Sequence, residues 1–180
     1  MLQITIPAGE MWDEIKEEFI TVKEQVLKFE HSLISVSKWE EKWCKSFFSH
    51  EKKSAEETVD YIRCMLLTPN VDDSVFNRLS VNDIKKIDAY IEAPMTATTI
   101  HDNRPPKRNG EILTSELIYY DMIVLHIPFE CQKWHLNRLL TLIKICDIKS
   151  SPPRNMSKKE IMRRNAALNA ARRKKYNSRG

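Results

Sequence analysis

Three serine–glutamate pairs, Ser37 with Glu40, Ser54 with Glu57 and Ser157 with Glu160, constrain the fold of this chain more than any other feature of it. At a spacing of three, the serine hydroxyl accepts from the amide of the glutamate, and the glutamate carboxylate accepts from the serine amide. Two donors that a helix start leaves open are thereby satisfied. Each pair is read as a helix N-terminus, and prolines mark the ends. The pattern predicts helices over 38–47, with Trp39 and Trp43 on one face, and over 55–67, with Val59, Ile62, Met65 and Leu66 inward and Pro69 beyond. A further helix is predicted over 81–92, capped by Ser80, carrying Ile84, Ile87 and Ile91 and closed by Pro94. Asp72 and Asp73 read as the cap of a short helix at 75–79.

The rest of the chain fits around these starts. LQITI at 2–6 reads as a strand closed by Pro7 and Gly9, and imperfect alternation over 26–36 suggests a second extended stretch. The segment 10–24 suits helix or strand equally. Residues 94–111 form a long connection with a Pro-Pro pair and an Asn-Gly turn signal. Helices are expected over 111–126 and 130–145, separated by Pro128, and the second has Trp134, Leu136, Leu139, Leu140, Leu142, Ile143 and Ile145 nearly all round its axis. Such a helix belongs in a core or an assembly interface. Pro152 and Pro153 precede a last helix over 158–174, expected to be marginal alone in water and to order on a partner. The expected class is α+β, predominantly α-helical: an N-terminal β-containing segment (1–36), a helical body (37–150) and a basic C-terminal tail (151–180).

Composition closes off several function classes. With 180 residues, 42% apolar and 30% charged, the chain has a globular mix, and 3 glycines against 8 prolines argue against glycine-rich phosphate loops. The longest apolar stretch, 117–127, contains Asp121 and His126 and falls short of the ~20 residues that cross a bilayer. The first residues have no basic start followed by an apolar core, so a cytoplasmic protein is expected. The net charge of +4 conceals a division: residues 154–180 carry ten Lys or Arg and one acid, while the remainder carries a net −5. A mildly acidic body bears a basic segment, the mark of an interaction with nucleic acid or an acidic surface, or more plainly of a solvated helix.

No nucleophile–base pair, phosphate loop or paired carboxylate meets a catalytic pattern, so no enzyme is expected. Asp121, an acid within LIYYDMIVL, either pairs with Arg138 or faces solvent. His126 and His135 read as satisfying local hydrogen bonds. Cys44, Cys64, Cys131 and Cys146 contain no CxxC pair and read as free, mostly buried thiols. Cys131 and His135 are spaced to share a helix face, but ligands are too few for a metal site, and no metal or cofactor is expected.

The strings SVSKWEEKWCKSFFSHEKKSAEETVDYIRCML, PMTATTI, SELIYYDMIVLHIPFECQKWHLNRLLTLIK and MSKKEIMRRNAALNAARRKKYNSRG, in that order, resemble the tail assembly chaperones of tailed bacteriophages, from about Ser35 onward. The resemblance implies a small, largely helical, non-enzymatic protein of the infected host's cytoplasm. Its partners would be the tape measure protein, which such chaperones keep soluble, and the tail tube subunits that polymerise around it. It supplies no catalytic residues. On this expectation Trp39 and Trp43 either hold the body together, join copies or bind a partner, and Arg163, Arg164, Arg172, Arg173, Lys174 and Lys175 engage an acidic partner. The rival expectations are a virion connector or tube component, and a nucleic-acid-associated protein using the same bases on phosphates.

Overall fold

The computed structural model describes residues 1–13, 18–100, 112–150 and 158–177. The chain is α+β and mainly helical, as the sequence predicts. It divides into two compact units, Met1–Asp147 and Ile148–Gly180.

In the first unit, β1 (Leu2–Ile6) pairs antiparallel with β4 (Gln25–Phe29), with Ile4 opposite Leu27 and Leu2 opposite Phe29. The segment left open at 10–24 is a hairpin nested between them, β2 (Gly9–Asp13) against β3 (Glu18–Val22). Strand alternation does the sorting in the outer pair. Ile4, Ile6, Leu27 and Phe29 are buried while Gln3, Thr5, Val26 and Lys28 face out. The free edge of β4 is closed by the chain leaving the second helix: Glu30 N donates to Met65 O at 2.9 Å and Leu67 N to Lys28 O at 2.8 Å.

The second extended stretch is shorter than the alternation suggests, because α1 (Leu33–Trp43) begins already at Ser32, whose hydroxyl accepts from the Ser35 amide. Ser37 therefore lies inside a helix and caps nothing. Glu40 serves a different purpose: its two carboxylate oxygens accept from Phe47 N and from Ser115 N, each at 2.7 Å. This buried carboxylate fixes the turn after α1 and the first turn of α4 (Ser115–Val124) at once. The starts of α2 and α3 are where the sequence puts them. Ser54 and Glu57 form a complete capping box for α2 (Ala55–Met65), and Ser80 and Asp83 form one for α3 (Val81–Glu92). Asp72 caps a 3-10 turn at Asp73–Arg78. In α2, Ile62 and Met65 point inward and Leu66 is half-buried beyond its end, but Val59 is exposed. The box at Ser157 lies outside the described residues, as do 101–111 of the long connection.

The helix expected over 111–126 spans only Ser115–Val124, capped by Thr114. It ends in a Schellman-type turn: Ile127 N donates to Met122 O, His126 N to Ile123 O, and His126 takes the left-handed conformation at φ 54°. The helix expected over 130–145 is broken. A 3-10 turn at Phe129–Lys133 precedes α5 (Leu136–Ser150), because Pro128 and the extended Trp134 interrupt the α-helical ladder. Cys131 and His135 consequently share no helix face. α5 is not apolar all round: it buries Leu136 and Leu139, packs Leu140, Leu142 and Ile143 against the core, and leaves Arg138 and Lys144 outside, whereas α4 exposes Tyr120, Ile123 and Val124 beside Glu116. One cluster joins Ile4 and Phe29 of the strands to Met65, Ile87, Met122 and Leu139 of the helices, so segment 1–36 shares its core with the body. The second unit contains α6, Lys158–Tyr176.

Two substitutions separate the box that caps from the one that does not. Ser54→Ala is expected to lower unfolding stability by ~1 kcal/mol, and Ser37→Ala to change it by less than ~0.5 kcal/mol, in chemical denaturation. Glu40→Ala strands the buried Ser115 amide and the half-buried Phe47 amide and is expected to cost about 3 kcal/mol by the same measurement.

Candidate functional site

The residues singled out from the sequence separate into two groups. Trp39 is 1% exposed, and its indole Nε1 donates to Glu57 O at 2.8 Å. A side chain so enclosed cannot meet a partner, which corrects the partner-binding reading for Trp39. Trp43 is half-buried with Nε1 donating to Asp60 Oδ2 at 2.9 Å. The aromatic pair, ring centroids 6.3 Å apart, thus joins α1 to α2, reinforced by Lys42 on Asp60 and Lys45 on Glu57. The Lys45 hydrogen bond, with that of the Ser54 amide, holds the Glu57 carboxyl below the usual carboxylate range.

The cations form the other group. Arg163, Arg164, Arg172, Arg173, Lys174 and Lys175 all lie on α6 with exposed side chains. Successive residues turn by ~100°, so the run from Arg172 to Lys175 encircles the axis. These bases occupy the last turns, where positive charge is favoured by the helix dipole. The alanine-rich centre, 166–171, supplies helix propensity for a segment with little apolar surface to bury.

The densest polar chemistry lies elsewhere, at the junction Glu30-His31-Ser32 between β4 and α1. His31 (3% exposed) is hydrogen-bonded through Nδ1 to the Tyr61 hydroxyl of α2, and its ring lies edge-on to that of His135 with centroids 5.0 Å apart. His135 (6% exposed) faces the Tyr90 carbonyl through Nε2 at 2.9 Å, so that nitrogen carries the hydrogen and donates. Its Nδ1 is buried without a hydrogen-bond partner. The Tyr90 hydroxyl donates to Glu30 Oε1 at 2.7 Å, and the terminal ammonium of Met1 pairs with Glu30 Oε2 at 2.9 Å. Beside this junction opens a cleft of about 310 Å3, whose walls include Glu30, Tyr90, Trp134, His135 and Arg138. The Arg138 guanidinium lies over the Trp134 ring at 4.1 Å, and Asp121 instead lines a separate cleft with Lys144 and Asp147.

Burial, with the neighbouring imidazole second, draws the His31 pKa down to about 4, and burial pushes the Tyr61 and Tyr90 phenols up. Near neutrality His31 is an uncharged ring and both phenols keep their protons, so His31 and Tyr61 share a neutral hydrogen bond while the Tyr90 hydroxyl donates to the Glu30 side chain that pairs with the Met1 ammonium. Among the described residues, no three His, Cys, Asp or Glu side chains stand close enough to hold a metal ion, and no helix is long and apolar enough to cross a membrane. Cys131 is buried, Cys64 and Cys146 half-buried and Cys44 exposed, none of them in a disulfide. Sequence reasoning missed this junction because its residues are far apart in the chain. The only local signal was a histidine at the end of an alternating strand. No family model, curated protein or solved structure matches the chain.

The junction gives a pH dependence of definite sign. Unfolded, His31 binds a proton near its ordinary value of 6.5; folded, near 4. Between those limits the unfolded state holds more protons, so stability is fully present above about pH 6.5 and falls as the solution is acidified. Acidification to pH 4 is expected to remove about 3 kcal/mol through this group. In denaturation measured from pH 7 downward, His31→Gln is expected to flatten that slope relative to the parent chain.

Proposed function

We propose that this chain is a non-enzymatic assembly chaperone of the kind tailed phages use to hold the tape measure protein and assist tube polymerisation in the host cytoplasm. The observation that carries the reading is α6: a 19-residue helix with cations on every side, joined to a body whose net charge is negative. A helix without a broad apolar stripe gains little by packing on a core, and its charge suits an acidic protein surface. The polar groups at the Glu30–Ser32 junction and along the α1–α2 contact are engaged in bonds between structural elements, which is what a scaffold for docking requires. The resemblance of the sequence strings to tail assembly chaperones supplies the identity of the partner within this reading.

One feature favours a second reading. A ring of bases with no preferred face also suits the phosphate backbone of a nucleic acid, which would be bound without sequence preference and with steep salt dependence.

The test is co-purification from nuclease-treated cells that co-express the tape measure protein. The full chain is expected to retain it, and the variant with Arg172, Arg173, Lys174 and Lys175 all replaced by alanine is expected to recover roughly tenfold less. The melting temperature of the body should be unchanged. Equal recovery by both chains, or capture of nothing but nuclease-sensitive material, would sink the chaperone reading.

A further inference from the structure

A continuous helix over 130–145 would set Lys133 and Arg138, five residues apart, about 140° from one another around its axis. The structure breaks that helix. A 3-10 turn ends at Lys133, Trp134 is extended at φ −71° and ψ 163°, and α5 begins at Leu136. Both cations consequently line the one cleft of about 310 Å3 beside the Glu30–Ser32 junction, together with Trp134 and Met95. Bonds that leave the cations unused fix its walls. Asn137 Nδ2 donates to Ile91 O at 3.0 Å and to Ala93 O at 2.8 Å, tying the first turn of α5 to the end of α3. The Arg138 guanidinium lies over the Trp134 ring at 4.1 Å, a stacking that restricts its planar fork without consuming its N–H donors. Among the described residues neither Arg138 nor Lys133 pairs with a carboxylate. Glu30, the acid on the wall, has a side chain 13% exposed that already takes the Tyr90 hydroxyl and the Met1 ammonium. Positive charge is therefore in excess here, on a body whose net charge is negative.

We propose that this cleft is a binding site for a carboxylate group, received by the Arg138 fork with Lys133 as the second cation. The two oxygens of a carboxylate match the spacing of the guanidinium N–H groups, and a fork already held on an aromatic ring loses less freedom when it binds. The N-terminal end of α5, where the helix dipole is positive, lies at the same place. Glu30 on the wall opposes a doubly charged phosphate more than a singly charged carboxylate. Trp134 and Met95 supply apolar flanks for a short alkyl stem beside the charge. Two sources present this chemistry, a free organic acid and an acidic side chain of a protein partner. The inference does not use α6.

The probes are glutarate, and glutamate blocked as its N-acetyl amide, titrated into the full chain and followed by the Trp134 indole resonance in nitrogen–proton correlation spectra. That resonance is assigned by its loss in Trp134→Phe. Saturable displacement of the resonance is expected, and Arg138→Gln is expected to weaken binding at least tenfold. Arg138→Lys, which keeps the charge and loses the fork, should recover only part of the affinity. Because Arg138 is exposed, the melting temperature and the remaining resonances of each variant should match the parent. The variant with Arg172, Arg173, Lys174 and Lys175 replaced by alanine should bind as the parent does. Saturation by glutarate alone assigns the site to a free acid, and saturation by both probes to a partner's side chain. Absence of any saturable shift overturns the proposal, as does a shift that persists unchanged in Arg138→Gln or one that vanishes with the bases of α6.

Discussion

The packing of the Met1–Asp147 unit depends on three consecutive residues, Glu30, His31 and Ser32, between the last strand and the first helix. Their backbone and side chains reach most of the larger elements of that unit. Glu30 N holds the end of α2, its carboxylate takes the Tyr90 hydroxyl of α3, His31 meets Tyr61 of α2, and the His31 carbonyl accepts from Leu136 N at 2.7 Å where α5 begins. Ser32 starts α1. A buried neutral hydrogen bond contributes only ~1 kcal/mol net, but an unmade one costs its full desolvation. Concentrating several at one junction makes their loss cooperative. The orphaned Nδ1 of His135 is part of the same constraint: its ring is oriented by the Tyr90 carbonyl, and that orientation leaves the other nitrogen buried without a hydrogen-bond partner.

What could be read from the sequence follows from the range of the forces involved. Capping is local, so Ser54 with Glu57 and Ser80 before α3 were legible, and the strand LQITI was legible through its period of two. Ser37 with Glu40 carried the same letters and misled, because the spacing cannot reveal that the carboxylate is drawn to Ser115, 75 residues away. The true start at Ser32 was hidden by strand-like alternation running through Ile34, a pattern that tertiary contacts overrode. The hairpin β2–β3 was ambiguous for the opposite reason: spacings of three, four and two coexist in the same few residues.

The candidate sites divide along the same line. The cations of α6 were found at once, since charge density is a property of composition. The tryptophans were found as residues but not as contacts, because an i, i+4 aromatic pair looks the same whether it faces a core or a partner. The structure decides for Trp39 through enclosure and a hydrogen bond to a carbonyl 18 positions on. The helix around Trp134 to Ile145 was expected to be apolar all round, but α5 leaves Arg138 and Lys144 outside. A one-dimensional pattern counts apolar letters, and cannot say that Leu140, Leu142 and Ile143 find the core while Tyr120 and Ile123 do not.

Two exposed surfaces of the chain differ in physical kind. The outer side of α4 offers apolar area, whose association is driven by water released from the surface and is strengthened by salts excluded from proteins. The side chains of α6 offer charge, whose attraction acts over about 10 Å at ordinary ionic strength and is screened as salt is added. The first favours a close, shape-matched contact. The second is long in range and loose in geometry, and suits a partner presented along an extended surface. The separation of the two chemistries onto different parts of the sequence lets each be strong without compromising the other.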